Sequence, residues 1–434
     1  MNLRERRNKF GGLFVAIVGM LLVSACNSAG SAAQEIATAT SVAPANETAE
    51  APLSTQSDLS GPIELKIWLP PEFSPDRGDL AATILQTQLD NFRVENPNVQ
   101  IEIRLKQEIG AGGLLDSLEA AQIAAPLALP DIVLLSSDLL PSAIEKNLLT
   151  PLDDHLSAPL GEDWYSFGIQ SVISDGQIYG IPVAGDALIL MHRFSALETA
   201  PKTWAESVEE PLSIGFAAAD PNSFFSLLHL ANGFDSDGSV SQIELGNESK
   251  IQELLAYYLD GEAIGVFPFW LAQFDTQEQS WQAFIEGQTA MVVTWSRRFL
   301  SSSDSNLGAS LLPTKEGSPF TLAKSWSWTL PSAEGSHAEV ALGLAEHLSE
   351  PEFIAQWTAA AGLLPTRSSS LTAWSPDLRQ ALASQIVPVA YAMPAPEKRL
   401  LVGLPLSEAI VALLKQEISL DTAVQSVMSS LPLP

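Results

Sequence analysis

Only one cysteine occurs in the 434 residues, so the chain can form neither an internal disulfide nor a cysteine-rich metal site. Basic residues are also scarce: 22 Lys and Arg against 51 Asp and Glu give a formal net charge of −29. Sequence-independent binding of nucleic acids relies on cationic side chains, so this composition argues against a DNA or RNA partner. We interpret the acidity as a solvated surface.

Familiar catalytic motifs are missing as well. No G-x-S-x-G or H-E-x-x-H sequence and no phosphate-binding loop occurs, and the five histidines are widely spaced. Paired carboxylates could form a glycosidase site, but among 51 acidic residues chance pairs are expected. We therefore expect no enzyme activity, no metal and no cofactor. An exported glycoside hydrolase and a metal carrier are kept as minor alternatives.

The N-terminus carries an export signal. Four basic residues within positions 4–9 precede an apolar stretch at 10–23, and Val23, Ser24 and Ala25 stand before Cys26. A basic leader, a short apolar region and small residues before a cut are typical of a secretory signal. The arrangement around Cys26 resembles the lipobox of bacterial lipoproteins, in which the cysteine is lipidated. The alternative is an uncleaved membrane anchor, although the apolar stretch is shorter than the ~20 residues that span a bilayer.

The next segment is low in complexity, and the ordered chain begins after it. Residues 27–60 hold no aromatic residue and no Lys or Arg, which predicts a disordered linker. From residue 63 onward, alternating apolar residues at 63–69 and 99–105 predict strands, and helical spacing between Leu80 and Phe92 predicts a helix that ends before Pro97. The apolar run 132–135 is typical of a buried parallel strand. The alternation continues to the C-terminus, so the predicted class is α/β.

Several short motifs, in order, carry a family resemblance. They are FRVENP at 92–97, PDIV at 130–133, LLTPLD at 148–153, YGIPV at 179–183, PKTWAE at 201–206, FIEGQTAM at 284–291, LSEPE at 348–352 and GLLPTR at 362–367. Together they resemble the family 1 extracellular solute-binding proteins of bacterial ABC importers, the maltose-binding-protein group. No single motif is specific. Their shared order from residue 63 to the C-terminus is what identifies the family.

The resemblance implies a two-lobed periplasmic-binding-protein fold of type II, with a multi-strand hinge and a ligand cleft between the lobes. The implied boundaries are a signal peptide at 1–25, a lipid-anchored linker at 26–61, lobe one at 62–186 plus 310–370, and lobe two at 187–309 plus 371–434. The chain would cross between lobes near 184–187, 309–314 and 365–375. The implied function is capture of a small polar solute, most simply a carbohydrate, by a monomer that delivers it to a membrane permease.

Candidate ligand contacts follow from the resemblance and from position at strand ends, where ligands bind in open α/β sheets. Sugar sites combine aromatic faces, which stack on pyranose rings, with carboxylates and amides that bind hydroxyls. The predicted contacts are Glu72, Ser136, Asp138, Asp186, Phe224, Trp270, Trp295, Arg297 and Trp326. Trp270 rests only on its aromatic surroundings. For each Trp the plainer interpretation is core packing.

The candidate site departs from the family pattern in several places. The usual Tyr-Asn after the hinge strand is His192-Arg193, the usual Gly-Gly is Ser325-Trp326, and Arg297 stands where a cleft Trp is common. Arg297 and Arg298 would favour an anionic group, or they simply pair with surface acids. These departures leave the ligand open. They are also consistent with the alternative of a structural or sensory lipoprotein that retains the fold without transport.

Overall fold

The computed structural model describes residues 61–209, 211–231, 247–331 and 336–431. The predicted signal peptide, Cys26 and the linker lie outside the described residues. Among the helices in these ranges, none combines the length and the apolar character needed to cross a bilayer.

The strands are mostly short, with two long exceptions in the middle of the sheet. They are β1 Ile63–Leu69, β2 Val99–Leu105, β3 Ile132–Ser136, β4 Ile173–Ser174, β5 Gln177–Ile178, β6 Ile181–Arg193, β7 Ile214–Gly215, β8 Met291–Trp295, β9 Leu307–Ser310, β10 Thr321–Thr329, β11 Leu364–Pro365 and β12 Ala390–Ala392.

Helices separate most of the strands. They are α1 Leu80–Glu95, α2 Leu114–Ala124, α3 Leu140–Glu145, α4 Ser166–Val172, α5 Trp204–Glu209, α6 Phe224–Ala231, α7 Glu248–Ala263, α8 Gln277–Ile285, α9 Ser296–Leu300, α10 Ser336–His347, α11 Pro351–Ala361, α12 Ser368–Thr372, α13 Leu378–Ile386, α14 Pro396–Leu414 and α15 Leu420–Ser430. The strands and the first helix predicted from periodicity correspond to β1, α1, β2 and β3, and the α/β class is confirmed.

Ten of the described strands form one mixed sheet, in the order β2-β1-β3-β10-β6-β8-β7, with β9 and β11 also on β6 and β12 on β10. The predicted parallel pairing is present, since β1 pairs in parallel with both β2 and β3. Strand β6 pairs with β10 through its first half and with β8 and β9 through its second half. The long strands β6 and β10 therefore connect two groups of strands.

Each group of strands has its own hydrophobic core. One core joins β1, β2 and β3 to helices α1, α10 and α11, and includes the fully buried Trp357. Another joins the second half of β6 to α6, α7, α14 and α15 around Tyr258 and Phe267. Every residue of β6 but the last is buried, because the strand is covered on both faces. The lobe boundaries remain a prediction, and the strand pairing identifies β6 and β10 as the segments that run between the two cores.

Candidate ligand-binding site

The parallel strands β1, β2 and β3 end at one edge of the sheet, and acidic residues follow each of them. Glu72 follows β1, Glu108 follows β2 and Asp138 follows β3. Burial raises the pKa of the Glu108 carboxyl, and the charges of Glu72 and Asp138 raise it further. Mutual influence of this kind requires the three carboxyls to lie near one another. Ser136, the last residue of β3, is buried at the same edge.

Asp138 is the centre of a charged triad with Lys324 and Arg399, here called the Asp138 triad. One carboxylate oxygen accepts from the Lys324 Nζ at 2.8 Å and the other from the Arg399 Nη1 at 2.6 Å. The side chains of Asp138 and Lys324 are 21% and 23% exposed, and that of Arg399 only 5%. Burial raises the pKa of the Asp138 carboxyl, but Lys324 and Arg399 outweigh it and hold this pKa below its ordinary value. The triad therefore joins the loop after β3, strand β10 and helix α14.

Phe224 and Trp295 form an aromatic pair beside the triad. Their ring centroids are 5.4 Å apart in an edge-to-face arrangement. The Lys324 Nζ lies over both rings, 4.9 Å from the centroid of Trp295 and 5.3 Å from that of Phe224. Phe224 begins α6 and Trp295 ends β8. The Lys324 ammonium is thus surrounded by Asp138, Phe224 and Trp295, which are more than 70 positions apart in the sequence.

Asp186 lies in the first half of β6, directly opposite Lys324 on β10. Its Oδ1 accepts hydrogen bonds from the Ser296 hydroxyl at 2.7 Å and from the Arg297 backbone N–H at 2.9 Å. Burial raises the pKa of the Asp186 carboxyl to about 6, although these bonds and the charges of Arg297 and Lys324 act in the opposite direction. Through these hydrogen bonds Asp186 connects β6 to the start of α9. The residue is buried, with 7% of its surface exposed.

Three of the remaining candidates, Trp326, Trp270 and Arg297, make no described side-chain contact with the triad or the aromatic pair. Trp326 is buried in the first core, packed edge-on against Phe73 at 5.4 Å. Trp270 packs against Phe274 and the second core. The side chain of Arg297 lines a cavity of about 170 Å³ that Glu72 also lines. Of the nine candidates, the structure brings together Asp138, Phe224 and Trp295 most closely, with Asp186 beside them.

Four residues of this region were missed from sequence: Glu108, Asp220, Lys324 and Arg399. Glu108 could have been found, because it follows β2 as Glu72 follows β1. Lys324 carried a weaker signal, a lysine in an otherwise buried strand. Arg399 lies on a helix far along the chain and carried none. Burial also raises the pKa of the Asp220 carboxyl, which binds the backbone and side-chain nitrogens of Asn222.

The site shows no metal-binding arrangement. Within the ranges that the structure describes, no three or more His, Cys, Asp or Glu side chains are placed so that they could hold a metal ion. The site instead combines two aromatic rings, charged groups of both signs and buried hydroxyls at the ends of strands, and these groups are suited to binding a ligand. A saccharide presents apolar C–H faces and a polar rim, which these groups complement.

Two relatives of this chain are described as binding proteins for maltodextrin and for maltotriose. The maltodextrin-binding protein MdxE of Bacillus subtilis (strain 168) is 26% identical over 268 residues, which cover 54% of this chain and 59% of that protein. A maltotriose-binding protein of Pyrococcus abyssi (strain GE5 / Orsay) is 22% identical over 343 residues, 73% of this chain and 71% of that one. The match thus spans somewhat more than half the length of the first relative.

The fold is shared with solved structures. The crystal structure of a cyclic alpha-maltosyl-1,6-maltose binding protein from Arthrobacter globiformis superposes with a TM-score of 0.67. Sequence identity is 20%, and the alignment covers 85% of this chain and 98% of that one. The two-lobed binding-protein fold is therefore confirmed.

A family model described as bacterial extracellular solute-binding protein matches residues 88–383, well over half of the chain. The match includes β3, β6, β8, β10 and every residue of the site described above except Glu72 and Arg399. The chain therefore belongs to the bacterial extracellular solute-binding proteins, a family that acts outside the cytoplasm.

Proposed function

We propose that this protein is the substrate-binding component of an ABC importer and that it captures a saccharide between its two lobes. The observation that supports this most is the aromatic pair beside the two long strands β6 and β10. Trp295 supplies a partly exposed aromatic ring packed edge-to-face on the buried Phe224, and Asp138 supplies a polar group from the loop after β3. Closing two lobes around such a site is the hinge motion by which binding proteins retain a ligand.

The relatives support the choice of a saccharide. The proteins from B. subtilis and P. abyssi are described as maltodextrin-binding and maltotriose-binding, and the similar structure from A. globiformis as binding a cyclic maltosyl-maltose. Identities of 20–26% leave the individual contacts of this chain to be tested directly. The protein acts by binding and carries out no chemistry on the saccharide.

The proposal includes a lipid anchor on Cys26 and delivery of the solute to membrane permease subunits. A lipid on Cys26 would hold the domain at the outer face of a membrane, with residues 27–60 as a tether. At 5–6 Å times the square root of the residue number, such a tether spans ~30 Å. Labelling with a radioactive fatty acid tests the anchor: label that persists in Cys26→Ser would contradict it.

Saccharide binding is tested by calorimetric titration of the full chain, purified in detergent, with maltotriose, maltotetraose and a panel of other oligosaccharides. We expect at least one class to bind, and Trp295→Ala to weaken its affinity at least about tenfold through lost stacking area. The matched control is Trp270→Ala, which removes the same side chain from a position packed on Phe274 that has no described ring contact with Phe224 or Trp295.

Two results would contradict the proposal. If a folded protein binds no saccharide of the panel, a structural or sensory lipoprotein becomes the better account. If chromatography shows that a bound saccharide is cleaved, the alternative of an exported glycoside hydrolase gains support.

A further inference from the structure

The faces of the aromatic pair are covered by cations of the protein itself: Lys324 lies over both rings, and the Arg399 guanidinium lies 5.5 Å from the centroid of Phe224. The Lys324 ammonium lies 4.9 Å from the ring centroid of Trp295 and 5.3 Å from that of Phe224. An ammonium over an aromatic face is attracted by the ring quadrupole, more strongly the further it is desolvated. A neutral sugar ring that stacks on either face has to displace this ammonium without offering it a new partner.

The direct contacts of the Asp138 triad leave a surplus of positive charge. Two cations, Lys324 and Arg399, share the single carboxylate of Asp138. Arg399 is only 4% exposed, and its Nε finds no hydrogen-bond acceptor among the described residues. A buried guanidinium with an unused donor is costly, and an anionic oxygen is the partner that relieves this cost most.

The neighbouring acids do not supply that oxygen. The Asp186 carboxylate accepts from Ser296 and from the backbone of Arg297, and the Asp220 carboxylate accepts from Asn222. Neither makes an ion pair with a member of the triad, and no ion pair is described for Glu108, although the charges of Lys324 and Asp138 act on its carboxyl. Because the wider surroundings are acidic, an anion would have to be held by short contacts with Lys324 and Arg399 rather than by a long-range attractive field.

Asp138 itself shows which anion fits. Its carboxylate spans the two cations with one oxygen on each, at 2.8 Å from the Lys324 Nζ and 2.6 Å from the Arg399 Nη1. A ligand carboxylate can bridge the same two cations through the donors that Asp138 leaves unused, among them the Arg399 Nε. As it does so it draws the Lys324 ammonium off Trp295 and frees that face for the attached sugar ring, whereas the Arg399 guanidinium still lies over Phe224.

We propose, on the basis of the saccharide-binding function above, that the ligand is a carboxylated saccharide, a sugar of the uronic acid type. Lys324 and Arg399 bind its carboxylate beside Asp138, and Trp295 stacks on its ring. Lys324 is the residue that determines specificity, because it covers the face of Trp295 until an anionic partner moves it.

The test is calorimetry with the full chain in detergent, using oligomers of galacturonate, glucuronate and mannuronate, the uncharged methyl ester of each, and maltotriose. We expect at least one acidic oligomer to bind about tenfold or more tighter than its methyl ester. Lys324→Met should abolish this preference while Asp138 keeps its bond to Arg399. The control Lys315→Met removes an exposed lysine that pairs with Glu253, and should retain the preference.

The outcomes separate this inference from the proposed function. If maltotriose or the methyl esters bind as tightly as the acids, the inference is wrong and saccharide binding stands. If the preference persists in Lys324→Met, the assignment of Lys324 is wrong. If no saccharide binds at all, the proposed function fails together with the inference.

Discussion

Asp138→Ala should lower the free energy of unfolding by about 3–5 kcal/mol, the usual cost of removing one partner from a buried ion pair. The substitution leaves Lys324 and Arg399 side by side without their shared carboxylate, and Arg399 is 5% exposed at its side chain. The loss therefore comes from an uncompensated buried charge and from repulsion between two cations, more than from the missing attraction itself. Urea denaturation of the full chain followed by tryptophan fluorescence measures it.

A matched control for Asp138→Ala is Glu253→Ala. Glu253 also pairs with one lysine, Lys315, but the two side chains are 46% and 51% exposed. An exposed pair of this kind contributes little to stability, because solvent screens it. Equal losses in Asp138→Ala and Glu253→Ala would show that the Asp138 triad is not a buried, coupled group.

Asp186→Asn should make the protein less sensitive to pH, with the largest gain in stability at neutral pH. Burial raises the pKa of Asp186 to about 6 from an ordinary value of 3.8. Stability from the protonated form is complete below pH 3.8 and is lost as the pH rises through 6. Two pKa units correspond to about 2–3 kcal/mol. Asparagine stays neutral, and its carbonyl oxygen can accept from Ser296 and Arg297 as the carboxylate does.

Free energies of unfolding at pH 4 and pH 7.5 provide the measurement for Asp186→Asn. The free energy of unfolding of the variant minus that of the parent should increase by about 2–3 kcal/mol between pH 4 and pH 7.5. His229, whose pKa burial lowers to about 3, destabilises both proteins equally on acidification, so its contribution cancels. A difference that stays constant with pH would mean that Asp186 titrates normally.

Local pattern was enough to predict the first part of the fold. Strands β1, β2 and β3 and helix α1 were predictable from apolar periodicity and from Pro97. The spacing of apolar residues shows whether an element buries one face or both faces. The order of the short motifs then identified the family. These signals lie within single elements or between neighbours in sequence.

The centre of the site could not be predicted in the same way. Asp138, Lys324 and Arg399 meet although 186 and 261 positions separate the first from the other two. Such a meeting depends on which strands pair and on how α14 packs, and no local pattern encodes it. Helix α14 even contains Pro405, which by local rules ends a helix. Composition indicated ten tryptophans but could not distinguish Trp295, beside the triad, from Trp270 or Trp326.

Closure of the two lobes on a saccharide is the central claim, and a distance measurement between them tests it most directly. Cys26 is the only cysteine, so in Cys26→Ser two introduced cysteines can be spin-labelled without competition. Leu127→Cys and Ile264→Cys place the labels at exposed positions, 93% and 44%, in predicted lobe one and predicted lobe two. Pulsed electron resonance should show a shifted and narrower distance distribution when a binding saccharide is added, and none with Trp295→Ala at the same concentration. A saccharide that binds while the distances stay unchanged would contradict capture by hinge closure.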